Sequence, residues 1–219
     1  LLNRDKDLSI FQELLDTHVI GVKNIISAIL KSSFHSRLIQ IGTMDECAEE
    51  PVSPYSLTKF YATKLTQYAC EEFGLDAIIV RFAIVYGPGQ KKGMLVPDLI
   101  TSCLNKKNFR IPSSGKQTRG FIFVEDAIEG IIKASLKPEL KGEVFHFGSR
   151  KPVKVREVAI TINKLLGNPI KIFFGRIPMR SEEDKQYTAS IKKTQKILSW
   201  SPKTSLIVGL NKTIKWYIQ

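Results

Sequence analysis

Apolar residues recur along this chain in two alternating rhythms, and the alternation predicts its architecture. Short continuous or period-two runs read as strands: "RLIQIG" (37–42), "DAIIVRFAIVYG" (76–87), "GFIFV" (120–124), "EVFHFG" (143–148) and "IKIFFG" (170–175). Between them, apolar positions fall at helical spacing over 56–74, ended by Gly74, and over 96–107, opened by Pro97. The same spacing returns over 125–136, where acids occupy the first turn, and over 154–167. Two further helical segments, 190–200 and 205–219, close the chain. Strand–helix alternation of this kind predicts βαβ units on a mostly parallel sheet, hence an α/β fold. Near residue 88, at the "YGPGQ" break, segments shorten and turns multiply, which predicts a smaller lobe appended to the main sheet.

Composition narrows the class without naming it. At 219 residues and 43% hydrophobic, the chain can bury a sizeable core. No run approaches the roughly 18 apolar residues of a membrane span, and the start lacks the basic-then-apolar design of a signal peptide. Cys47, Cys70 and Cys103 show no CxxC and no even-numbered framework, so reduced thiols in a cytoplasmic setting are expected. His18, His35 and His146 form no pair at metal-ligand spacing, and no metal site is expected. The net charge of +12 favours an anionic partner such as a nucleotide phosphate. The basic residues do not gather into one run, so a Lys-rich surface that serves only solubility is the plain alternative, and a nucleic-acid-binding derivative is suggested by the charge alone.

Candidate chemistry centres on "SPYSLTKF", where Tyr55 and Lys59 stand four apart on one helix face. In a Lys-rich chain such a pair arises readily by chance, so its surroundings decide. Thr43 ends a strand twelve residues earlier, and strand C-terminal ends with adjoining helix N-termini line the ligand crevice of a parallel sheet. A phenol of pKa about 10 becomes a base near neutrality only if its anion gains about 4 kcal/mol, which a nearby ammonium helps supply. The Thr43 hydroxyl would then hold a substrate oxygen beside that base. The plain alternative is a helix whose Tyr covers a core while its Lys extends to water.

Seven segments in order resemble the extended short-chain dehydrogenase/reductase family, and within it the NAD-dependent sugar-nucleotide epimerases and dehydratases. They are "IGTMDE", "PVSPYSLTK", "VRFAIVYGPGQ", "RGFIFVEDA", "EVFHFGS", "GNPIKIFFGRIPMRSEED" and "ILSWSPKTSLIVGLNKTIKWY". The resemblance implies a Rossmann-like sheet. Residues 1–90 would be the C-terminal half of a dinucleotide-binding domain, and 91–219 mainly a substrate lobe with about 120–148 returning to the sheet. It implies Tyr55 as catalytic base, Lys59 as its activator and holder of the nicotinamide ribose, and Thr43 as the catalytic hydroxyl. Arg81 would join Tyr55 and Lys59 at the cofactor, NAD or NADP. Arg119, Arg180, Glu183 and Val96 would contact a nucleoside-diphosphate sugar, with Arg119 clamping the diphosphate. A homodimer built through helices that include 56–74 is implied for the full-length parent.

The departures from the family pattern carry information too. Cys47 and Ala48 replace the usual Tyr-Gly, Ile84 a frequent Asn, and Gly120 a frequent Asp. Met44 and Asp45 stand where 4,6-dehydratases place Asp and Glu, which favours an epimerase or a 4-keto reductase. The segment at 8–32 resembles the helix after the family's fourth strand, with His18 where an Asn is usual. No GxxGxxG turn is present, so the family's first βα units are expected to be missing from this chain, with weak or no NAD binding and marginal stability if it stands alone. A catalytically silent remnant that keeps the nucleotide-sugar lobe is the alternative.

Overall fold

The structure is a computed structural model and describes residues 10–33, 36–47, 53–177 and 190–219. It comprises two compact units. The first gathers the described residues within Leu1–Phe82, Glu129–Phe147 and Ala189–Trp200; the second gathers those within Ala83–Ile128, Gly148–Thr188 and Ser201–Gln219.

A three-stranded parallel sheet organises the first unit, in the order β1 (Leu38–Thr43), β2 (Ala77–Phe82), β7 (Val144–Phe147). Central β2 opens on an apolar run, Ala77 to Val80, that is fully buried because both its faces are covered, before Arg81 brings a charge to the strand end. The register sets Thr43 beside Phe82 and Arg81 beside His146, so the three strand ends align. On its outer side β7 meets α7 (Lys192–Leu198). There the Thr194 hydroxyl accepts from the His146 N–H at 3.1 Å and donates to its carbonyl at 2.8 Å, replacing a missing strand partner.

The long helix α3 (Pro54–Glu72) follows β1. Ser53 caps it reciprocally with Ser56, Pro54 takes the position where a lost N–H costs nothing, and Gly74 at φ +74° ends it. Its buried face is made of small and hydroxyl residues: Ser56, Thr58, Ala62, Thr63, Thr66 and Ala69. Thr63 and Thr66 donate to the buried side chains of Glu46 and Gln40. A second helical run packs on α3. It consists of α1 (Phe11–Leu15), a π-helical turn at Asp16–Ile20 and α2 (Gly21–Lys31). Ile26 of α2 joins Ala69, Cys70 and Leu75 in an apolar cluster.

Among the described residues, the second unit holds three strand pairs. β3 (Ile84–Tyr86) runs parallel to β6 (Phe121–Phe123), β4 (Phe109–Ser113) parallel to β9 (Ile172–Ile177), and β5 (Thr118–Arg119) antiparallel to β8 (Val153–Lys154). Helices α4 (Leu95–Leu104), α6 (Val155–Leu165) and α8 (Leu206–Ile218) close over one apolar core that includes Leu99, Ile100, Phe123, Val158, Ile162 and Leu210. Burying side chains of this size contributes about 2 kcal/mol each. The remaining helix, α5 (Val124–Leu136), begins in the second unit and continues into the first from Glu129.

Two expectations need correction. The single strand expected over 76–87 is two strands, because Ala83 separates a segment that pairs with β1 and β7 from one that pairs with β6. β4 was not expected at all; it is only five residues long and contains Pro112, which lacks an N–H for a ladder and argues against a strand in sequence.

Candidate active site

The C-terminal end of β1 gathers the polar side chains of the first unit. Thr43 is its last residue, and Met44–Cys47 then coil into a 3-10 turn. Tyr55 lies in the first turn of α3, half-buried, with its ring edge-on to the His18 imidazole at 5.4 Å between centroids. One turn further, Lys59 donates from Nζ to the Ile41 carbonyl at 3.2 Å, two residues before Thr43. That bond moors the ammonium at the strand end and uses one of its three donors. Burial lowers the Lys59 pKa, while the Glu46 carboxylate acts in the opposite direction.

His18 enters this group through the π-helical turn. Thr58 Oγ1 lies 3.0 Å from the Pro54 carbonyl and 3.1 Å from that of Tyr55, so its one proton is committed to the backbone. His18 Nδ1, 2.8 Å from the same oxygen, is therefore assigned as the donor and bears the hydrogen. Burial, reinforced by the Lys59 charge, lowers the His18 pKa to about 4, and the ring is neutral at physiological pH.

Beneath Thr43 lies Glu46, only 1% exposed. One carboxylate oxygen accepts from the Thr43 N–H at 2.7 Å and the other from the Thr63 hydroxyl at 2.6 Å. Arg81 completes the set, with Nε 3.3 Å from Oε1 and a terminal nitrogen 3.4 Å from Oε2. Its other terminal nitrogen donates to Cys47 Sγ at 3.5 Å, and that sulfur is 3.6 Å from His146 Nε2. Burial pushes the Cys47 thiol up and, with Arg81 and Lys193, brings the His146 imidazole down to about 4. A neutral thiol beside a neutral imidazole is not the ion pair of a nucleophilic cysteine.

Arg119 and Val96 lie in the second unit. Arg119 is half-buried on β5 and donates to the Thr118 carbonyl at 2.9 Å. A side chain at Gly120, next to it, would press on Ala83 at 3.1 Å, which accounts for the absence of a larger residue there. The Val96 side chain, 2% exposed, is spent on the apolar core; what it can offer a ligand is its N–H in the first turn of α4. A cleft of about 450 Å³ in this unit is bounded by Ser149, Arg150, Lys151, Lys203 and Thr204. Arg180 and Glu183 fall outside the described residues.

Sequence reasoning therefore placed Thr43, Tyr55 and Lys59 on two abutting elements, α3 and β1, but missed the roles of Glu46, Thr63 and His18. The available signal was "GTMDE": a glycine and a threonine followed within one turn by an acid able to fold back on them. Among the described residues, no group of three or more His, Cys, Asp or Glu is placed to hold a metal, and no helix is long and apolar enough to cross a membrane.

A parallel sheet with a Thr at one strand end and a Tyr/Lys pair on the following helix is an arrangement of a Rossmann-like fold, whose strand C-terminal ends and helix N-termini face one crevice. The comparisons make the class specific. Residues 5–148 match the family model described as NAD dependent epimerase/dehydratase family, and the chain belongs to that family. It is 30% identical over 197 residues to a UDP-glucuronate 4-epimerase of Thermodesulfobacterium geofontis, covering 90% of this chain and 59% of that protein. It is 32% identical over 166 residues to an uncharacterised UDP-glucose epimerase of Bacillus subtilis, covering 76% and 52%. The crystal structure of a Bacillus cereus UDP-glucuronic acid 4-epimerase with UDP-glucuronic acid and NAD superposes with a TM-score of 0.88. Identity there is 26%, over 99% of this chain and 72% of that one. The chain spans between half and six tenths of the length of these two curated relatives.

Proposed function

We propose that the protein carrying this chain is an NAD(P)-dependent enzyme acting on a nucleoside-diphosphate sugar, of the 4-epimerase or 4-keto-reductase type. The observation that carries the reading is the mooring of Lys59 on the Ile41 carbonyl, which keeps the ammonium on the Tyr55 face of α3 at the strand end that Thr43 closes. Tyr55, as phenolate, takes the proton of a sugar hydroxyl; Lys59 stabilises that anion; the Thr43 hydroxyl donates to the same sugar oxygen. Lys59 has two donors beyond the one given to Ile41, a number that suits a ribose diol. When bound, the nicotinamide supplies a hydride acceptor and donor for the carbinol carbon. Arg81 enters the proposal as a support of the strand end, since its donors reach Glu46 and Cys47.

Glu46 favours epimerisation or reduction over 4,6-dehydration. Its carboxylate is occupied by Thr43, Thr63 and Arg81, and the residue after Thr43 is a buried methionine, so no acid directly follows the catalytic hydroxyl. Arg119, Arg180, Glu183 and the Val96 backbone remain the proposed contacts to the nucleotide sugar. The free cysteines support a cytoplasmic setting. A homodimer is part of the same proposal, supported by Tyr61 and Tyr68, seven residues apart on α3 and 47% and 54% exposed.

Tyr55→Phe in the holoenzyme tests the reading. Turnover of a UDP-sugar is expected to fall by about 10²–10⁴, with UDP-sugar binding kept within about twofold. Retention of turnover would remove Tyr55 from the chemistry and the reading with it.

A further inference from the structure

The first unit buries a carboxylate that the proposed chemistry does not consume. A carboxylate out of water is costly unless it is both paired and hydrogen-bonded, and Glu46 has all of this: a guanidinium, a hydroxyl and a backbone N–H. The N–H belongs to Thr43. At 2.7 Å it is a short, charge-assisted bond to the last residue of β1, where the ladder to β2 runs out. The local chain is shaped around the carboxylate, since a Cβ on Gly42 would run into Glu46 Oε1. The Thr43 hydroxyl oxygen meanwhile accepts from the Asp45 N–H at 3.2 Å, a contact that does not use its proton.

We propose that Glu46 is a positioning residue for Thr43: anchored by Thr63 and Arg81, it fixes the strand-end backbone and so the direction in which the Thr43 hydroxyl donates to the substrate oxygen. This rests on the reading of Thr43 and Tyr55 given above. Glu46 has three kinds of charged or titratable neighbour. Arg81 faces it from β2 and Lys59 from α3, Asp45 and Cys47 flank it on its own turn, and His146 of β7 is reached through Cys47.

Three variants of the holoenzyme decide the matter. Glu46→Gln keeps the side-chain volume and an acceptor but removes the charge; kcat should fall about tenfold with the KM for a UDP-sugar within about twofold. In a Thr43→Ala background the same substitution should cost nothing more, because its effect passes through the missing hydroxyl. Thr63→Val, which loosens the carboxylate without deleting it, should show a smaller loss with the same non-additivity, and it carries the test if the Gln variant does not fold. The Thr43 amide proton resonance should move upfield in Glu46→Gln, a readout independent of turnover. Full kcat in both variants overturns the proposal. So does a further loss in the Thr43→Ala background, which would assign Glu46 to the charge on Lys59. If Tyr55→Phe keeps its turnover, the underlying reading fails instead, whatever the Glu46 variants do.

Discussion

The two units hold their helices in opposite ways. In the first, α3 meets its neighbours through hydroxyls: Thr66 on Gln40 of β1, Thr63 on Glu46 of the turn after β1, and Thr58 on His18 of the π-helical turn. In the second, α4, α6 and α8 meet over Leu99, Ile100, Val158, Ile162 and Leu210, all fully buried. An apolar contact is non-directional and tolerates small shifts. A network of donors and acceptors is satisfied in one geometry only and fixes the register of helix against strand. The unit with proposed catalytic groups at its strand end is the one that spends polar residues on fixing position.

The largest effect should come from breaking the charged centre of that network. Glu46→Leu strands Arg81, the Thr43 N–H and the Thr63 hydroxyl, and is expected to destabilise the first unit by about 3–5 kcal/mol. Adding Arg81→Met should recover part of the loss, because replacing both partners removes the unpaired charge. Leu99→Ala in the second unit should cost about 2–5 kcal/mol, set by the cavity it leaves, with no second substitution of opposite sign available. Urea titration followed through Trp200 checks the first unit: this ring is 1% exposed and edge-on to Phe147, and Trp216→Phe at a 47% exposed position removes the other signal. A loss below about 1 kcal/mol for Glu46→Leu, at the level of a neutral surface change, would break the contrast.

Acid should separate the units next. His18 and His146, the histidines among the described residues, lie in the first unit, and both have folded pKa values lowered to about 4 from 6.5. The unfolded chain therefore binds protons that the folded one refuses between those values. The stabilisation is complete above pH 6.5 and is lost as pH falls through 6.5 toward 4. Trp200 fluorescence should report unfolding at lower urea at pH 4.5 than at pH 7, while amide exchange in α6 and α8 changes less. Imidazole proton shifts that titrate near 6.5 would refute the premise.

The smallest contrast concerns helix starts. Ser53 and Ser56 cap α3 reciprocally at 3.0 and 3.2 Å in a buried setting, whereas Ser205 caps α8 through one exposed contact of 3.4 Å. Ser53→Ala should lower stability by about 1–2 kcal/mol and Ser205→Ala by about half of that or less, as read from Tm.

Periodicity made α3, β1 and β7 legible to within two residues, because each presents a regular face to its neighbours. It could not show that Phe82 and Ile84 serve different sheets, since partner choice leaves no mark on an apolar run. The π-helical turn around His18 was invisible for a related reason: one widened turn shifts the helical phase without changing composition. Tyr55, Lys59 and Thr43 were legible as chemistry. Glu46 was not, because an acid in a polar turn reads as solvated until its three partners are brought to it from Thr43, α3 and β2.

Gly42 and Glu46 compete for one volume, and this restricts the order in which descendants of this chain can change. A side chain gained first at position 42 would meet the carboxylate and displace it from Arg81 and Thr63. Loss of the acid at position 46 removes the tightest of these contacts and leaves Arg81 Cγ, at 3.1 Å, as the next group that must give, so the two positions change more readily in that order than in the reverse.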